Sequence, residues 1–283
     1  MADIWVGLGF VTAAFLVIAV LTDRYAKGAS ARTRTVVAIL SVLIGCSYIL
    51  FAQNDVRVAE ILPFSNVIVV GNGCAYLAAI LIGLVASDAN LSTVRRLFAE
   101  VTLTAGAAIA TVHPIVGAIP DCSEYRVDDI CVQSTDHTCA AACAVTLLES
   151  VGVATTELEM AIHCFSDQGT TWSGLYRGLA LKVQDSDYQV KTFMGDLDSL
   201  RKLDCRTRPA ILTVGLTREQ VEEDPDFAER NGWATTKSHT VLFYGFVNDD
   251  LVSIGDPSVG RETWTVQQLQ ILWHGSGQML IRR

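Results

Sequence analysis

Several spacings that identify common classes of protein are missing from this 283-residue sequence. No Cys-x-x-Cys or His-x-x-x-His pair offers the ligand spacing of a structural zinc site, so we expect no bound metal. No Gly-x-x-x-x-Gly-Lys-Ser/Thr loop is present, which argues against an ATPase of that class and against a complete ATP-driven exporter. Internal repeats and low-complexity tracts are also missing. We therefore expect a protein that needs no cofactor.

Charged residues are scarce in the first 120 residues, and the chain as a whole is 51% apolar. Four nearly uncharged stretches, each about 18 to 23 residues long, follow one another there and are long enough to cross a bilayer. They are Ile4–Thr22, Thr35–Ala52, Asn66–Ala86 and Leu97–Ile119. A removable signal peptide is the weaker interpretation of the first stretch, which has neither a basic segment before it nor a clear small-x-small cleavage site. The sequence predicts an α-helical membrane domain of four spans over residues 1–120.

The placement of lysine and arginine predicts how these spans are oriented. Six basic residues lie in the loops after the first and third spans, namely Arg24, Lys27, Arg32, Arg34, Arg95 and Arg96. The loop on the opposite side contains only Arg57. Because cytoplasmic loops carry the excess of positive charge, both termini and all of residues 121–283 are expected outside the cytoplasm. We predict a multi-pass protein of the bacterial inner membrane with a periplasmic C-terminal domain.

Most of the acidic charge lies in residues 121–283, which hold 24 of the 30 aspartates and glutamates but only 14 of the 21 lysines and arginines. An acidic domain repels nucleic acid, so we expect no nucleic-acid partner. The same charge favours basic substrates. Contact with membrane lipid is expected of the four spans.

Within residues 121–283, helical patterns come first and strand patterns later. Pro120 and the polar stretch Asp121–Asp129 mark the boundary with the membrane domain. Helices are predicted over Cys139–Val151, Thr156–Cys164, Thr171–Val183 and Asp196–Leu203. Strands are predicted over Tyr188–Phe193, Ala210–Leu216, Thr240–Phe246, Leu251–Ile254, Arg261–Trp264 and Gln278–Arg282. This order indicates an α+β domain with an antiparallel sheet.

Four residues of this domain have the types and the order of a thiol-based catalytic site. Cys139 begins an Ala-rich helical run, where the positive end of the helix dipole favours thiolate over thiol. Gln133, six residues earlier, can aim its amide N–H at a developing oxyanion. His239 at a strand supplies a base, and Asp256 on the next strand supplies a carboxylate that orients the imidazole. The pattern predicts a Cys-His-Asp site with a glutamine oxyanion donor.

Each of these residues also has an ordinary interpretation, as a core cysteine, a core histidine, a turn aspartate or a linker glutamine. The four together favour catalysis. Asn248 and Asp249 are the alternatives to Asp256, and we assign them to the turn between two strands.

The four positions resemble those of the papain-like cysteine peptidases that cleave double-glycine leaders from bacteriocin precursors. That family has the order Gln, Cys, His, Asp, with the histidine in a His-x-Val-Val-Leu strand and the aspartate in an Asp-Pro turn. Here the segments read His239-Thr-Val-Leu and Asp256-Pro257, and the resemblance covers roughly Asp129 to the C-terminus.

At the nucleophile the chain departs from the family, because Thr138-Cys139-Ala140 stands where Asp-Cys-Gly is usual. We expect the added methyl group to narrow the approach of a substrate backbone, which argues against a strict Gly-Gly preference.

The resemblance implies a papain-like fold, cysteine endopeptidase activity and peptide or protein substrates. It also implies a secretion or transporter complex as a partner, since members of the family are usually cytoplasmic parts of ATP-driven exporters. One alternative is a degenerate peptidase fold that binds peptides for recognition or assembly. Another is an acyltransferase that uses the same thiol. Thiol–disulfide exchange through Cys139 and Cys143 is the weakest alternative, because their spacing on a helix suits neither the geometry nor the usual motif.

An oxidising compartment outside the cytoplasm predicts disulfides among the remaining cysteines. Cys143 is expected to be a small buried hydrophobe on the same helix as Cys139. The predicted pairs are Cys122–Cys131 and Cys164–Cys205. The acidic segment Thr217–Lys237 is expected to be a surface loop, with a lid in which Trp233 shields the histidine as the less favoured alternative.

Overall fold

The computed structural model describes residues 1–53, 55–205, 208–224, 227, 233 and 238–283. It divides the chain into two compact units, one of residues 1–58 with 62–116 and the other of residues 59–61 with 117–283. Each unit is described separately below.

Residues 1–116 are helical. The elements are α1 (Ala2–Gly28), α2 (Ala31–Ser47, continued by a π-helical turn at Tyr48–Ala52), α3 (Arg57–Ile61), α4 (Val67–Val70), α5 (Gly73–Ser87) and α6 (Thr93–Val112, continued by a 3-10 turn at His113–Ile115). In the described part of the chain, four stretches are long and apolar enough to cross a membrane: Ala2–Gly28, Ala31–Ala52, Val67–Ser87 and Thr93–Ile115. The prediction of four apolar N-terminal helices is confirmed.

Helix α5 lies at the centre of this unit and packs against α1, α2 and α6. The approach of α1 to α5 depends on Gly83, because a Cβ atom there would lie 2.5 Å from the carbonyl oxygen of Ala19. Large apolar side chains point outward elsewhere, and Leu50 and Phe51 are 73% and 75% exposed. Outward apolar side chains are what helices solvated by lipid require.

The third predicted span is interrupted, although a continuous helix over Asn66–Ala86 was expected. Gly71 and Asn72 separate α4 from α5. The Asn72 side chain accepts a hydrogen bond from the backbone N–H of Cys74 and donates one to the carbonyl oxygen of Ala110, at 3.1 and 2.6 Å. The side chain thus satisfies a backbone N–H at the break, which membrane-embedded backbone requires, and it also ties the break to α6.

Residues 117–283 form an α+β unit. Its helices are α7 (Cys139–Glu149), α8 (Glu157–Cys164), α9 (Trp172–Lys182), α10 (Leu197–Arg201), α11 (Arg218–Glu223) and α12 (Val266–Leu272). Its strands are β1 (Arg126–Val127), β2 (Ile130–Cys131), β3 (Tyr188–Met194), β4 (Ala210–Val214), β5 (His239–Phe246), β6 (Leu251–Asp256), β7 (Gly260–Thr265) and β8 (Trp273–Arg282). The predicted order of helices followed by an antiparallel sheet is confirmed.

Among the described strands, β3 to β8 form one sheet in the order β3-β8-β4-β5-β6-β7, and every neighbouring pair is antiparallel. The two faces of the sheet are buried in different cores. On β5, Leu242 belongs to the core that contains α7, α8 and α9, whereas Val241 and Phe243 belong to the core that contains α12. This alternation is the period of two that a strand buried on both faces shows. The face of β5 that carries Leu242 therefore packs directly against α7.

Several short elements were not expected from the sequence. The stretch Asp121–Asp129 was interpreted as a linker, but β1 lies within it and pairs with β2. Helix α11 lies in the predicted loop Thr217–Lys237, and its signal was a capping box, since Thr217 and Gln220 each bond the other's backbone N–H. The rest of that segment falls mostly outside the described residues, so the predicted surface loop and the less favoured lid both stay untested there.

The predicted disulfides are wrong, because all eight cysteines lie in the described part and each is a free thiol. The β1–β2 register places Cys131 opposite Arg126, four residues from Cys122. Cys164 belongs to the core beneath α8 and α9, whereas Cys205 belongs to the core on the other face of the sheet. Spacing along the chain did not reveal that the sheet separates them.

Candidate active site

Cys139 is the first residue of α7, and a tight turn immediately precedes the helix. The Thr138 hydroxyl donates to the Thr135 carbonyl oxygen and accepts from the Thr135 backbone N–H, both at 3.1 Å. Thr138 is completely buried, and Ala142 donates its backbone N–H to the Thr138 carbonyl at 2.9 Å. The helix is therefore anchored by residues next to Cys139, whose sulfur sits in the first turn, where the helix dipole favours an anion.

His239 and Asp256 meet because their strands are antiparallel neighbours. His239 is the first residue of β5 and Asp256 is the last residue of β6, so both lie at the same edge of the sheet. The Nε2 atom of His239 lies 2.9 Å from Oδ1 of Asp256. The side chains are 18% and 11% exposed, so this pair is largely but not completely shielded from water.

Packing of α7 on β5 brings the sulfur of Cys139 to this pair. One helical turn after Cys139, the buried thiol of Cys143 donates a hydrogen bond to the carbonyl oxygen of Thr240 at 3.3 Å. Cys139 itself interacts with both His239 and Thr240. Because Nε2 of His239 is held by Asp256, Nδ1 is the ring nitrogen available to the sulfur.

The electrostatics of the three groups depend on one another. Burial opposes charge on Cys139, but hydrogen bonding to His239 and the imidazolium charge outweigh it, and the pKa of the thiol is lowered. Burial would also lower the pKa of His239, yet its bonds to Asp256 and Cys139 raise that pKa to about 10. Burial raises the pKa of Asp256, but its bond to His239 and the bonds from Ser258 leave it below its usual range. The three shifts all act in the direction that favours a thiolate–imidazolium pair held by a carboxylate.

Gln133 lies between the turn that precedes α7 and the turn that follows β6. Its backbone N–H donates to the carbonyl oxygen of Pro257 at 2.8 Å. Its side-chain Nε2 donates to the carbonyl oxygen of Thr135 at 2.9 Å, and its Oε1 accepts from the hydroxyl of Ser258 at 3.2 Å. The structure therefore brings all four of the predicted site residues, Gln133, Cys139, His239 and Asp256, to one edge of the sheet.

The alternatives to Asp256 lie at the other end of the strands. The side chain of Asn248 accepts hydrogen bonds from the backbone N–H groups of Asp250 and Leu251, each at 2.9 Å. This is the turn between β5 and β6, as the sequence indicated.

Ser258, which lies near the site, was not singled out from the sequence, whereas Trp233 was considered there as a shield for the histidine in the lid alternative. Ser258 donates its backbone N–H to Oδ1 of Asp256 at 2.7 Å. The sequence contained a signal for this bond, because an aspartate side chain commonly accepts a hydrogen bond from the backbone N–H two residues later in an Asx turn. The indole of Trp233 lies edge-on to the His239 ring, with 6.1 Å between ring centroids, and also contacts Trp264.

The expectation for Ala140 is wrong. Its side chain is 3% exposed and belongs to the core beneath α7. The methyl group therefore points into the domain, and it does not narrow the approach to Cys139 from solvent.

No family model matches the sequence, and no curated protein matches it significantly. Three similar solved structures are peptidase domains. The peptidase domain of Streptococcus ComA, a bi-functional ABC transporter involved in a quorum-sensing pathway, is 20% identical over 54% of this chain and 98% of that chain, with a TM-score of 0.42. A double glycine motif protease from an AMS/PCAT transporter, solved in complex with the leader peptide, is 15% identical over 54% and 91%, with a TM-score of 0.41. The peptidase domain of Streptococcus mutans ComA is 21% identical over 54% and 98%, with a TM-score of 0.35. These three solved structures are peptidase domains of the class that the sequence resemblance indicated.

Proposed function

We propose that residues 121–283 form a cysteine peptidase domain attached to a membrane domain of residues 1–120. The observation that carries the proposal is the chain of contacts from Asp256 through His239 to a Cys139 whose thiol pKa is lowered. A buried carboxylate, an imidazole and a thiol at a helix N-terminus are the components that activate a sulfur nucleophile. Peptide bonds are the substrates proposed, because the amide leaving group needs the proton that His239 holds.

The proposed reaction proceeds through an acyl-enzyme. The thiolate of Cys139 attacks the substrate carbonyl carbon, a C–S bond forms, and the carbonyl electrons move to oxygen. The side-chain N–H of Gln133 and the backbone N–H of Cys139 stabilise this oxyanion. When the oxyanion collapses, the C–N bond breaks and His239 transfers its proton to the leaving amine. Water, deprotonated by His239, then hydrolyses the thioester and regenerates the thiolate.

Asp256 acts on His239 rather than on the substrate. Its Oδ1 holds Nε2, so that Nδ1 faces the sulfur throughout the cycle. A buried carboxylate in this position also stabilises the imidazolium form, which is the proton donor of the first step.

We propose that the domain lies outside the cytoplasm of a bacterial cell and acts on peptides at the membrane surface. The support is the excess of lysine and arginine in the first and third loops of the membrane domain. Attachment to the spans confines the site to substrates near the bilayer, such as secreted peptides that leave a transporter complex. The acidic composition of the domain favours basic peptides over acidic ones.

The test is a comparison of the secreted peptides of cells that express the wild type or Cys139→Ser. We expect a set of peptide termini that appears with the wild type and is lost with the variant. Cys46→Ser, which changes an exposed cysteine of α2, is the matched control and should keep those termini. Unchanged termini in Cys139→Ser cells would contradict the proposal. Product masses that include an added amine or lipid would show that the reaction is acyl transfer and not hydrolysis.

A further inference from the structure

The turn that follows β6 contacts two parts of the site through a single residue, Ser258. Its backbone N–H donates to Oδ1 of Asp256, the same oxygen that holds His239. Its hydroxyl donates to Oε1 of Gln133 at 3.2 Å. Ser258 therefore links the carboxylate of Asp256 to the side-chain amide of Gln133.

The hydrogen-bond partners of the Gln133 side-chain amide determine which end is the oxygen and which is the nitrogen. A carbonyl oxygen can only accept hydrogen bonds, so the end of the amide that faces the Thr135 carbonyl must be the nitrogen. The oxygen then faces Ser258, which holds it by donating its hydroxyl hydrogen. An amide nitrogen carries two hydrogens, and one of them is used by Thr135. The direction of the second one depends on how firmly both ends of the amide are held.

We propose that the Ser258 hydroxyl is a positioning group for the oxyanion hole, which aims the second N–H of Gln133 at the developing oxyanion. This inference rests on the proposed peptidase function. The hydroxyl acts through Gln133 and does not touch the substrate. The bond from the Ser258 backbone N–H to Oδ1 of Asp256 survives replacement of the side chain, whereas the weaker interaction of the hydroxyl with the same carboxylate is lost. The alkylation rate of Cys139 therefore reports whether the thiolate–imidazolium pair survives the replacement.

Two probes separate these effects without a known substrate. An acetylated Gly-Gly aldehyde adds to the thiolate and forms a hemithioacetal, in which the former carbonyl oxygen becomes the oxyanion that Gln133 stabilises. Iodoacetamide alkylates the same sulfur with loss of iodide, and this reaction forms no oxyanion. Protection of Cys139 by the aldehyde against iodoacetamide, measured by mass spectrometry of the full-length protein, gives the aldehyde affinity.

The variants form a matched series. Ser258→Val and Ser258→Thr have nearly the same shape, but only the threonine keeps a hydroxyl. Ser253→Ala removes a hydroxyl from the middle of β6 and serves as the control for side-chain loss. Gln133→Ala and the double variant Gln133→Ala/Ser258→Val complete a double-mutant cycle.

We expect Ser258→Val to weaken aldehyde binding by about tenfold, less than the roughly 100-fold that loss of an oxyanion donor causes in Gln133→Ala. The double variant should bind as weakly as Gln133→Ala and no more weakly. Ser258→Thr and Ser253→Ala should bind the aldehyde as the wild type does. The alkylation rate with iodoacetamide should stay within about twofold of the wild type in the Ser258 variants.

Three results would overturn the role of Ser258 alone: wild-type aldehyde affinity in Ser258→Val, a further tenfold loss in the double variant, or an alkylation rate that falls in parallel with the affinity. In each case the wild type still binds the aldehyde. A wild type whose Cys139 is not protected by the aldehyde would refute the peptidase proposal itself, and the role of Ser258 with it. Alkylation of Cys143 identifies a variant that has unfolded, and Ser258→Ala then takes the place of Ser258→Val.

Discussion

Helix α7 carries two cysteines one turn apart whose environments have opposite effects on the thiol. Cys139 lies in the first turn beside His239, and its thiol pKa is lowered. Cys143 lies in the second turn, where complete burial and the nearby charge of Cys139 raise its thiol pKa well above the ordinary value. Both are near Thr240, and both belong to the same Ala-rich run. The difference indicates that membership of this helix alone does not lower a thiol pKa, and that the contact of Cys139 with His239 distinguishes the two cysteines.

The largest effect is expected from removing the reactive sulfur. Cys139→Ser should reduce peptide cleavage by roughly 10³-fold or more, because loss of the nucleophile of a catalytic triad leaves only residual catalysis. The appearance of new peptide termini with the purified protein measures this. Cleavage by Cys139→Ser at the wild-type rate would show that another residue is the nucleophile. It would also contradict the different roles assigned to Cys139 and Cys143.

The next effect concerns pH, and its direction follows from the pKa shifts. An ordinary thiol gains roughly 100-fold in thiolate between pH 6 and 8. The lowered pKa of Cys139 means that its thiolate is lost only as pH falls through that lowered value, so its alkylation by iodoacetamide should change less over the same range. The raised pKa of His239 means that the imidazolium is lost as pH rises through about 10, so peptide cleavage should fall there.

The pH prediction has an internal control. In His239→Ala the alkylation of Cys139 should regain the steep pH dependence of an ordinary thiol, whereas His163→Ala should behave as the wild type. His163 lies on α8 and is half-buried beside Glu159, away from the site. A Cys139 profile that is equally steep with and without His239 would contradict the thiolate–imidazolium pair.

A smaller effect is expected at the carboxylate. Asp256→Asn keeps the shape of the side chain but removes the charge that stabilises the imidazolium, so the pKa of His239 should fall. The loss of peptide cleavage at high pH should then begin below about pH 10. We expect cleavage at pH 7 to decrease by about 10- to 100-fold. The titration of His239 followed by NMR checks the shift directly. Asp249→Asn, at the far turn, is the matched control, and an unchanged His239 pKa in Asp256→Asn would remove Asp256 from the site.

The smallest effect is expected at the second cysteine. Cys143→Ser should lower the free energy of unfolding by about 1–2 kcal/mol, since a more polar group is buried, although the hydroxyl can still donate to the carbonyl oxygen of Thr240. Peptide cleavage should change less than about threefold. Denaturant unfolding and cleavage measured on the same preparation check both statements. A loss of cleavage as large as that of Cys139→Ser, with stability unchanged, would make Cys143 a second functional thiol.

Much of the fold could be predicted from local patterns. Long apolar stretches predicted the four N-terminal helices, and helical and β periodicities predicted helices before an antiparallel sheet. The break at Gly71 and Asn72 could not be predicted, because a backbone group freed there, the carbonyl oxygen of Gly71, is satisfied by the hydroxyl of Tyr48 in a distant segment. The disulfides were wrong for a related reason, since Cys164 and Cys205 belong to cores on opposite faces of one sheet.

The sequence by itself determined which residues were candidates for the site and in what order they occur, because residue type and the ends of predicted elements can be read along the chain. Only the tertiary structure decided that β5 and β6 are antiparallel neighbours, which brings His239 within 2.9 Å of Asp256. It also decided that the Ala140 methyl faces the core and that Ser258 joins Asp256 to Gln133. The contact of His239 with Asp256 joins residues 17 positions apart, and the contact of Ser258 with Gln133 joins residues 125 positions apart, so both depend on packing that no local pattern encodes.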